Sequence, residues 1–259
     1  MSGAKGLGEA ALTAAVPLGL LAAWQIASMT GALPARILPA PTAVFNAFME
    51  LSASGALWEN LAVSAARAVT GLLIGGGIGF ALGLITGLSK LGERLLDPTL
   101  QMVRNVPHLA LIPLVIIWFG VEEEARIFLV ALGVFFPIYL NTHHGVRTVD
   151  AQLIEMARIY GMRGFRLFSR VILPGALPSI LVGLRFALGV MWLTLIVAET
   201  IAASSGIGHM AMAAREFMRT DVIMLSILIY ALLGKLADSA TRFLERRWLS
   251  WNAAYAAGS

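Results

Sequence analysis

Arg104, Asn105 and His108 stand close together in a stretch that is otherwise almost wholly apolar. On a helix, positions 104 and 108 share a face, with 105 beside it, so the three side chains would converge as hydrogen-bond donors. The planar guanidinium fork suits an oxyanion, so the chemistry this trio points to is anion recognition. The competing reading is an arginine at a helix end whose charge reaches out to water. Arg185 and Glu199 are also isolated among apolar residues. They are fourteen positions apart, too far to pair within one helix, so each needs partners from other elements. Lys235 and Asp238 are three apart and placed to pair with each other. Nothing sets up a reaction. There is no Gly-x-x-x-x-Gly-Lys-Ser/Thr phosphate loop, no His-Glu-x-x-His, no cysteine, and no nucleophile beside a base. His143 and His144 are adjacent and diverge on a helix. No catalytic residue and no metal site are expected.

These charges are few. Hydrophobic residues make up 58% of the 259, charged residues only 13%, and 26 glycines add to the apolar share. Mean hydropathy is +0.81. A soluble domain with that balance would display large apolar patches, and disorder needs the opposite composition. The chain reads as an all-α polytopic membrane protein. The pI of about 9.8 does not point to nucleic acid, because the basic residues lie between hydrophobic segments and form no single polar face.

Six stretches are long and apolar enough to cross a bilayer: roughly 10–30, 61–88, 100–120, 126–146, 177–201 and 222–244. The first is longer than a cleavable leader and is read as a retained helix. With the N-terminus inside, eleven of the nineteen Lys and Arg residues fall in inside segments and four outside, which sets both termini in the cytoplasm. The acidic triplet Glu122, Glu123, Glu124 then faces out. Within the second span Gly71, Gly75, Gly79, Gly83 and Gly87 recur every fourth residue, a groove into which another helix backbone fits closely. It is read as helix packing, or as a surface along which helices slide.

The long inner loop, about 147–176, carries the most specific pattern. Leu153, Ile154, Ala157 and Tyr160 follow helical spacing, with Glu155, Met156 and Arg158 among them, and Gly161 suits a left-handed helix terminus. A second basic-apolar helix carries Arg163, Arg166 and Arg170, and Pro174 and Pro178 punctuate the start of the fifth span. A helix this short is marginal alone. Its apolar face needs either a groove in another protein or a lipid surface.

The loop resembles the EAA loop of ABC importer permeases: Glu-Ala-Ala, three residues, Gly, nine residues, Ile, one residue, Leu-Pro. Glu155, Ala157, Gly161, Leu173 and Pro174 match, while Met156 stands for the second Ala and Val171 for Ile. The stretch Arg104 to Leu114, Ala198-Glu199-Thr200 with Gly206-Ile207-Gly208, and Arg36 to Pro41 resemble the nitrate, sulfonate and taurine importer branch, most of all permeases of aliphatic sulfonate importers. The resemblance implies a type I ABC importer transmembrane domain of six helices in the bacterial inner membrane. Residues 1–56 would form an N-terminal helix and periplasmic segment, 57–241 the permease domain and 242–259 a cytoplasmic tail. It further implies a homodimer, two ABC ATPase subunits holding ATP and Mg, a periplasmic substrate-binding protein, and docking of residues 153–162 on the ATPase. Arg104, Asn105, His108 and Glu199 are the pathway candidates. Taurine, nitrate or a thiamine precursor are alternative cargoes. An ion-coupled secondary carrier is the alternative of another class, against which the absence of any visible inverted repeat argues.

Overall fold

A computed structural model describes residues 2–251; residues 252–259 of the expected tail lie outside the described residues. The described chain is helical throughout, in the order α1 (Ser2–Met29), α2 (Pro41–Ala53), α3 (Ala56–Leu88), α4 (Lys90–Arg104), a 3-10 turn (His108–Leu111), α5 (Ile112–Phe119), α6 (Glu123–Arg147), α7 (Ala151–Ile159), α8 (Gly164–Leu167), a π-turn (Phe168–Ile172), α9 (Leu173–Ala202), α10 (Ile207–Glu216) and α11 (Thr220–Trp248). Two compact units divide it, Met1–Ala62 with Ser204–Ile229, and Val63–Ala203 with Tyr230–Ser259.

In the larger unit, α6 is the central helix. Of its apolar window 61% is buried, against 33%, 33% and 22% for the spans of α3, α9 and α11. The glycine ladder explains how α3 reaches it. A Cβ at Gly71 would lie 2.5 Å from Val130 Cγ1, at Gly79 2.6 Å from the Phe135 carbonyl oxygen, and at Gly87 2.8 Å from Val146 Cβ. At Gly75 it would overlap the Ala131 carbonyl, and at Gly83 it would meet Thr142 and the Tyr139 carbonyl. All five ladder positions therefore touch α6 by backbone, the close approach that small residues permit. Gly77, on another face, has open space around it.

The partner numbers also give direction. Along α3 and α6 both rise together, from 71 with 130 to 87 with 146, so the two helices run parallel. Against α9 they run in opposition: Gly133 meets Thr194, and Gly145 meets Ala176 and Ser179. Two consecutive parallel helices require the chain between them to travel back. Glu123, at the start of α6, is level with Arg67 of α3, and the 21 residues from there to Leu88 rise about 32 Å, roughly the thickness of a bilayer core. The return is made by α4 and the segment His108–Phe119, bent by 79°. This corrects the expected straight third span at 100–120. Pro107 and Pro113 are the reason, since each removes a backbone donor and Pro107 disfavours the helical conformation at Val106. Four described helices are long and apolar enough to cross, the bent pair makes five, and α1 adds a described apolar stretch at Ala15–Met29.

Pro174 and Pro178 do not interrupt the chain as expected. Helix continues from Gly164 through α9, and the π-turn immediately before Leu173 provides the wider backbone spacing in which a proline ring is accommodated.

The smaller unit is tied by polar contacts. Gln25 and Thr42 exchange hydrogen bonds at 3.3 Å, and Asn60 Oδ1 accepts from Gly206 N at 2.7 Å. Arg219 forks onto both carboxylate oxygens of Glu50 at 2.9 and 2.8 Å and also reaches Asp221. Arg219's hydrogen bonds and charge hold the Glu50 carboxyl below its usual value of 4.5, and the same bonds push Arg219 up.

Candidate functional site

Two assemblies in the larger unit bear on function. The first is the segment around α7. Asp150 caps it, its carboxylate accepting from Gln152 N at 2.8 Å. Gly161 ends it with φ +78°. Met162 N donates to Ala157 O at 3.0 Å and Gly161 N to Arg158 O at 2.9 Å, the paired bonds of a Schellman terminus. The helix is therefore short because both ends are closed by local chemistry. Ala157 is buried, whereas Ile159, Tyr160 and Phe165 are 85%, 77% and 81% exposed. Leu153, Met156, Ala157, Tyr160 and Pro174 line one open cavity of about 390 Å³, together with Arg170 and Trp251. Ile154 is half-buried, and Glu155 and Arg158 are exposed. What the structure shows here is a capped helix that leaves large apolar side chains uncovered at the end of a long helix.

The second assembly is ionic and buried. Arg67 of α3 sits between two carboxylates. Its Nη1 donates to Glu199 of α9 at 2.8 Å, while Nε and Nη2 grip Glu123 at 2.6 and 2.5 Å. Ser64 donates to both Glu199 oxygens at 2.8 and 2.9 Å, and Tyr230 of α11 donates at 2.9 Å. Arg126 donates to Glu123 at 2.9 Å and to the Val121 carbonyl. Arg67 is 2% exposed and Glu199 1%. Arg67 and Arg126 face Glu123 and Glu199, and this opposition of charges is what makes their burial in an apolar bundle tolerable.

Comparison with known proteins decides what kind of molecule holds these parts. Residues 77–250 match the family described as binding-protein-dependent transport system inner membrane component. This chain belongs to that family. It is 65% identical over 240 residues to the putative aliphatic sulfonates transport permease protein SsuC of Escherichia coli strain K12, covering 93% of this chain and 91% of that one. To SsuC of Bacillus subtilis strain 168 it is 47% identical over 240 residues, covering 93% and 87%. Its fold is similar to a chain of the MetNI methionine ABC transporter in an inward facing conformation, with a TM-score of 0.52 at 19% identity, covering 73% of this chain and 94% of that one.

As an inner membrane component of such a system the chain is a multi-pass permease, and its sequence-expected site residues divide. Leu153, Met156, Ala157, Tyr160, Gly161 and Pro174 come together around α7, while Leu173 lines the neighbouring cleft. The pathway trio does not form. Arg104 is the exposed last residue of α4, Asn105 folds back to donate to Gln101 O at 3.1 Å, and His108 lies beyond the break. His108 Nε2 meets Thr194 Oγ1 at 3.0 Å and is half-buried. The shared face expected of 104 and 108 requires one continuous helix, which Pro107 prevents. Glu199 is enclosed by Ser64, Arg67 and Tyr230. Arg185 finds partners across the bundle, Glu245 at 2.5 Å and Asp238 at 3.4 Å. The expected Lys235–Asp238 pair is replaced: Asp238 takes Arg185 and, one turn on, Arg242 at 2.9 Å. Glu123 stands in the acidic triplet expected to face out, while no sequence spacing ties it to Arg67, Arg126, Ser64 or Tyr230. The signal that finds them is the number of lone charges in apolar helices, each of which needs a counter-charge from another helix.

Proposed function

We propose that this chain is the membrane-spanning permease subunit of an importer that moves aliphatic sulfonates from periplasm to cytoplasm. The observation that carries the cargo is 65% identity over 240 residues to a protein named for aliphatic sulfonate transport. Two copies form the pathway, two ABC ATPase subunits bind ATP and Mg on the cytoplasmic side, and a periplasmic binding protein delivers the sulfonate. Both termini lie in the cytoplasm, in keeping with the bias of Lys and Arg toward that side. The permease domain runs over 57–241. The capped α7 and the exposed Ile159 and Tyr160 beside it support the docking of residues 153–162 in a groove of the ATPase. ATP closes the ATPase pair, α7 moves with it, and the continuous helix from Gly164 to Ala202 carries the displacement into the bilayer. Selectivity rests largely with the binding protein, so the permease needs no tight site of its own.

The test is reconstitution of this chain with an ABC ATPase that co-purifies with it and a sulfonate-binding protein, followed by uptake of labelled alkanesulfonate with ATP supplied to the ATPase side. ATP-dependent sulfonate uptake is expected. An ATPase that co-purifies and turns over while taurine or nitrate enters in place of alkanesulfonate would replace the cargo. Uptake driven by an ion gradient without any ATPase would overturn the machine.

A further inference from the structure

α9 is open on two sides. Leu173, Leu177 and Ile180 form one stripe, half-buried, and Phe186, Gly189 and Leu193 another, with Phe186 64% and Leu193 67% exposed. Leu177 and Phe186 are nine residues apart, two and a half turns, so the stripes face opposite ways. The second stripe is centred on Gly189, where an added Cβ would meet nothing. That is the small-residue opening another helix approaches closely. The first stripe is different. It forms the wall of a cleft of about 670 Å³ that runs from Phe80 of α3, past Leu177, to Arg247, Trp248 and Trp251 at the end of α11.

The chemistry of this cleft changes along its length. The inner part is apolar, contributed by Phe80, Leu177 and Ile180. The rim carries two indoles, 49% and 59% exposed, and one guanidinium. Trp251 is held at the rim by its own Nε1, which donates to the Trp248 carbonyl at 3.1 Å. Arg242 is engaged by Asp238, but among the described residues neither Arg246 nor Arg247 has a carboxylate partner, and both are exposed. Tryptophan settles at the headgroup level of a bilayer, and basic pockets between membrane helices on the cytoplasmic side attract anionic headgroups. Phe80 lies eight residues before the end of α3, about 12 Å along the helix, within the inner leaflet and in reach of an acyl chain.

We propose that this cleft is a binding site for an anionic phospholipid of the cytoplasmic leaflet, with acyl chain against Phe80, Leu177 and Ile180 and headgroup at Arg247. The occupant is a lipid, and not a second copy, because the rim presents an uncompensated cation beside two interfacial aromatics, while the exposed apolar stripe with the Gly189 opening lies on the opposite face of α9. The inference rests on the membrane orientation given above and is independent of the cargo.

The test uses full-length protein in lipid nanodiscs, with phosphatidylglycerol or phosphatidylcholine brominated on the acyl chain, and reads quenching of tryptophan fluorescence. The difference between the native chain and the Trp248→Phe/Trp251→Phe variant isolates the rim signal. Brominated phosphatidylglycerol is expected to reach half-quenching at about one-fifth the mole fraction of brominated phosphatidylcholine, the Boltzmann factor of a single basic residue near an anionic surface. Arg247→Gln should abolish that preference without removing the quenching. Equal quenching by the two lipids in the native chain overturns the proposal, as does an unchanged preference in Arg247→Gln. Because the chain has no cysteine, Leu177→Cys gives a single reporter: a disulfide between two copies there assigns the cleft to the dimer and overturns the lipid. A preference that emerges only after residues 252–259 are removed assigns the cleft to the chain's own end, with the same consequence.

Discussion

Glu199→Gln tests whether the buried cluster holds the bundle together. Glu199 Oε1 accepts from Arg67 and Ser64, and Oε2 from Ser64 and Tyr230. An amide supplies only one oxygen: with that oxygen kept toward Arg67, its NH2 faces the Ser64 and Tyr230 hydroxyls, which must turn from donors to acceptors, and the negative charge opposite Arg67 is lost. Removing one member of a buried ion pair costs about 3–5 kcal/mol. Here Arg67 keeps Glu123, so about 3 kcal/mol is expected, at the lower end of that range. Glu123→Gln is the contrast. Its carboxylate is half exposed, with a side chain at 50%, and water replaces part of what is lost, so about 1 kcal/mol is expected. Arg67→Met takes the guanidinium from a buried carboxylate and should cost the most. The measurement is unfolding of the purified protein in mixed micelles of rising denaturing-detergent fraction, followed by helical circular dichroism. The double variant Arg67→Met/Glu199→Gln should be more stable than the sum of the single losses allows, by about 1 kcal/mol or more. A cost for Glu123→Gln equal to or above that of Glu199→Gln, or strict additivity in the double variant, refutes the reasoning.

Gly79→Ala should destabilise by about 1–3 kcal/mol, because its Cβ meets the Phe135 carbonyl oxygen at 2.6 Å. Gly77→Ala meets nothing and should be neutral or up to about 1 kcal/mol stabilising; the same micelle titration reads both. Gly161→Ala has open space around it, so only the positive φ of +78° resists it, at about 1–2 kcal/mol. Reconstituted with its ATPase, it should transport less per ATP hydrolysed, whereas Gly161→Asn, which tolerates that conformation, should transport more per ATP than Gly161→Ala. Glu155→Lys should likewise separate ATP hydrolysis from uptake without loss of membrane insertion. The Glu50 carboxyl is held below 4.5 by Arg219. Its contribution is therefore present above 4.5 and lost as pH falls through the lowered value. Hydrogen exchange of the backbone at 217–222, corrected for its intrinsic pH dependence, should accelerate on acidification in the native chain and be fast at all pH in Glu50→Gln.

How much of this was legible beforehand depends on whether a feature is local. The end of α7 was legible: Gly161 follows the last periodic residue, and a left-handed terminus needs no information from elsewhere in the chain. The glycine ladder was legible as a contact face, because one face of one helix defines it, although the partner α6 and the parallel direction were not. The pathway trio failed for a local reason that was also present. Pro107 lies between Arg104 and His108, and a four-residue spacing has meaning only if the backbone between is helical. The ionic cluster failed for a different reason. Ser64, Arg67, Glu123, Glu199 and Tyr230 come from four helices, and no spacing within any one of them announces the others. What could be read was an excess of lone charges. Lys235 and Asp238 show the limit of local pairing, because a plausible i,i+3 partner lost to an i,i+4 arginine and to Arg185 on another helix.

The two assemblies lie at opposite ends of α9, and that placement constrains how it can move. From Pro174, beside α7, to Glu199 is 25 residues of helix, about 38 Å. At the near end α9 continues through the π-turn into the segment that ends at Gly161. At the far end Glu199 is bonded to α3 by Ser64 and Arg67 and to α11 by Tyr230. Along its flank, Gly145 meets the Ala176 carbonyl and Gly183 the Pro137 carbonyl, which brings α6 and α9 into backbone contact, and the ladder brings α3 onto α6. A push on α7 directed along α9 therefore cannot slide that helix alone. It would have to break a buried ion pair and shear two backbone-close interfaces, each costing far more than thermal energy. The motion expected is a rotation of α6, α9 and the larger-unit parts of α3 and α11 together, with the kinked α4–α5 segment, whose helix is already broken, absorbing the change. Spin labels at 78 and 186, on α3 and α9, should then keep their separation through the ATP cycle, while labels at 102 and 186 should not. A change at the first pair equal to that at the second would mean that α9 moves against α3, and that the cluster opens during transport.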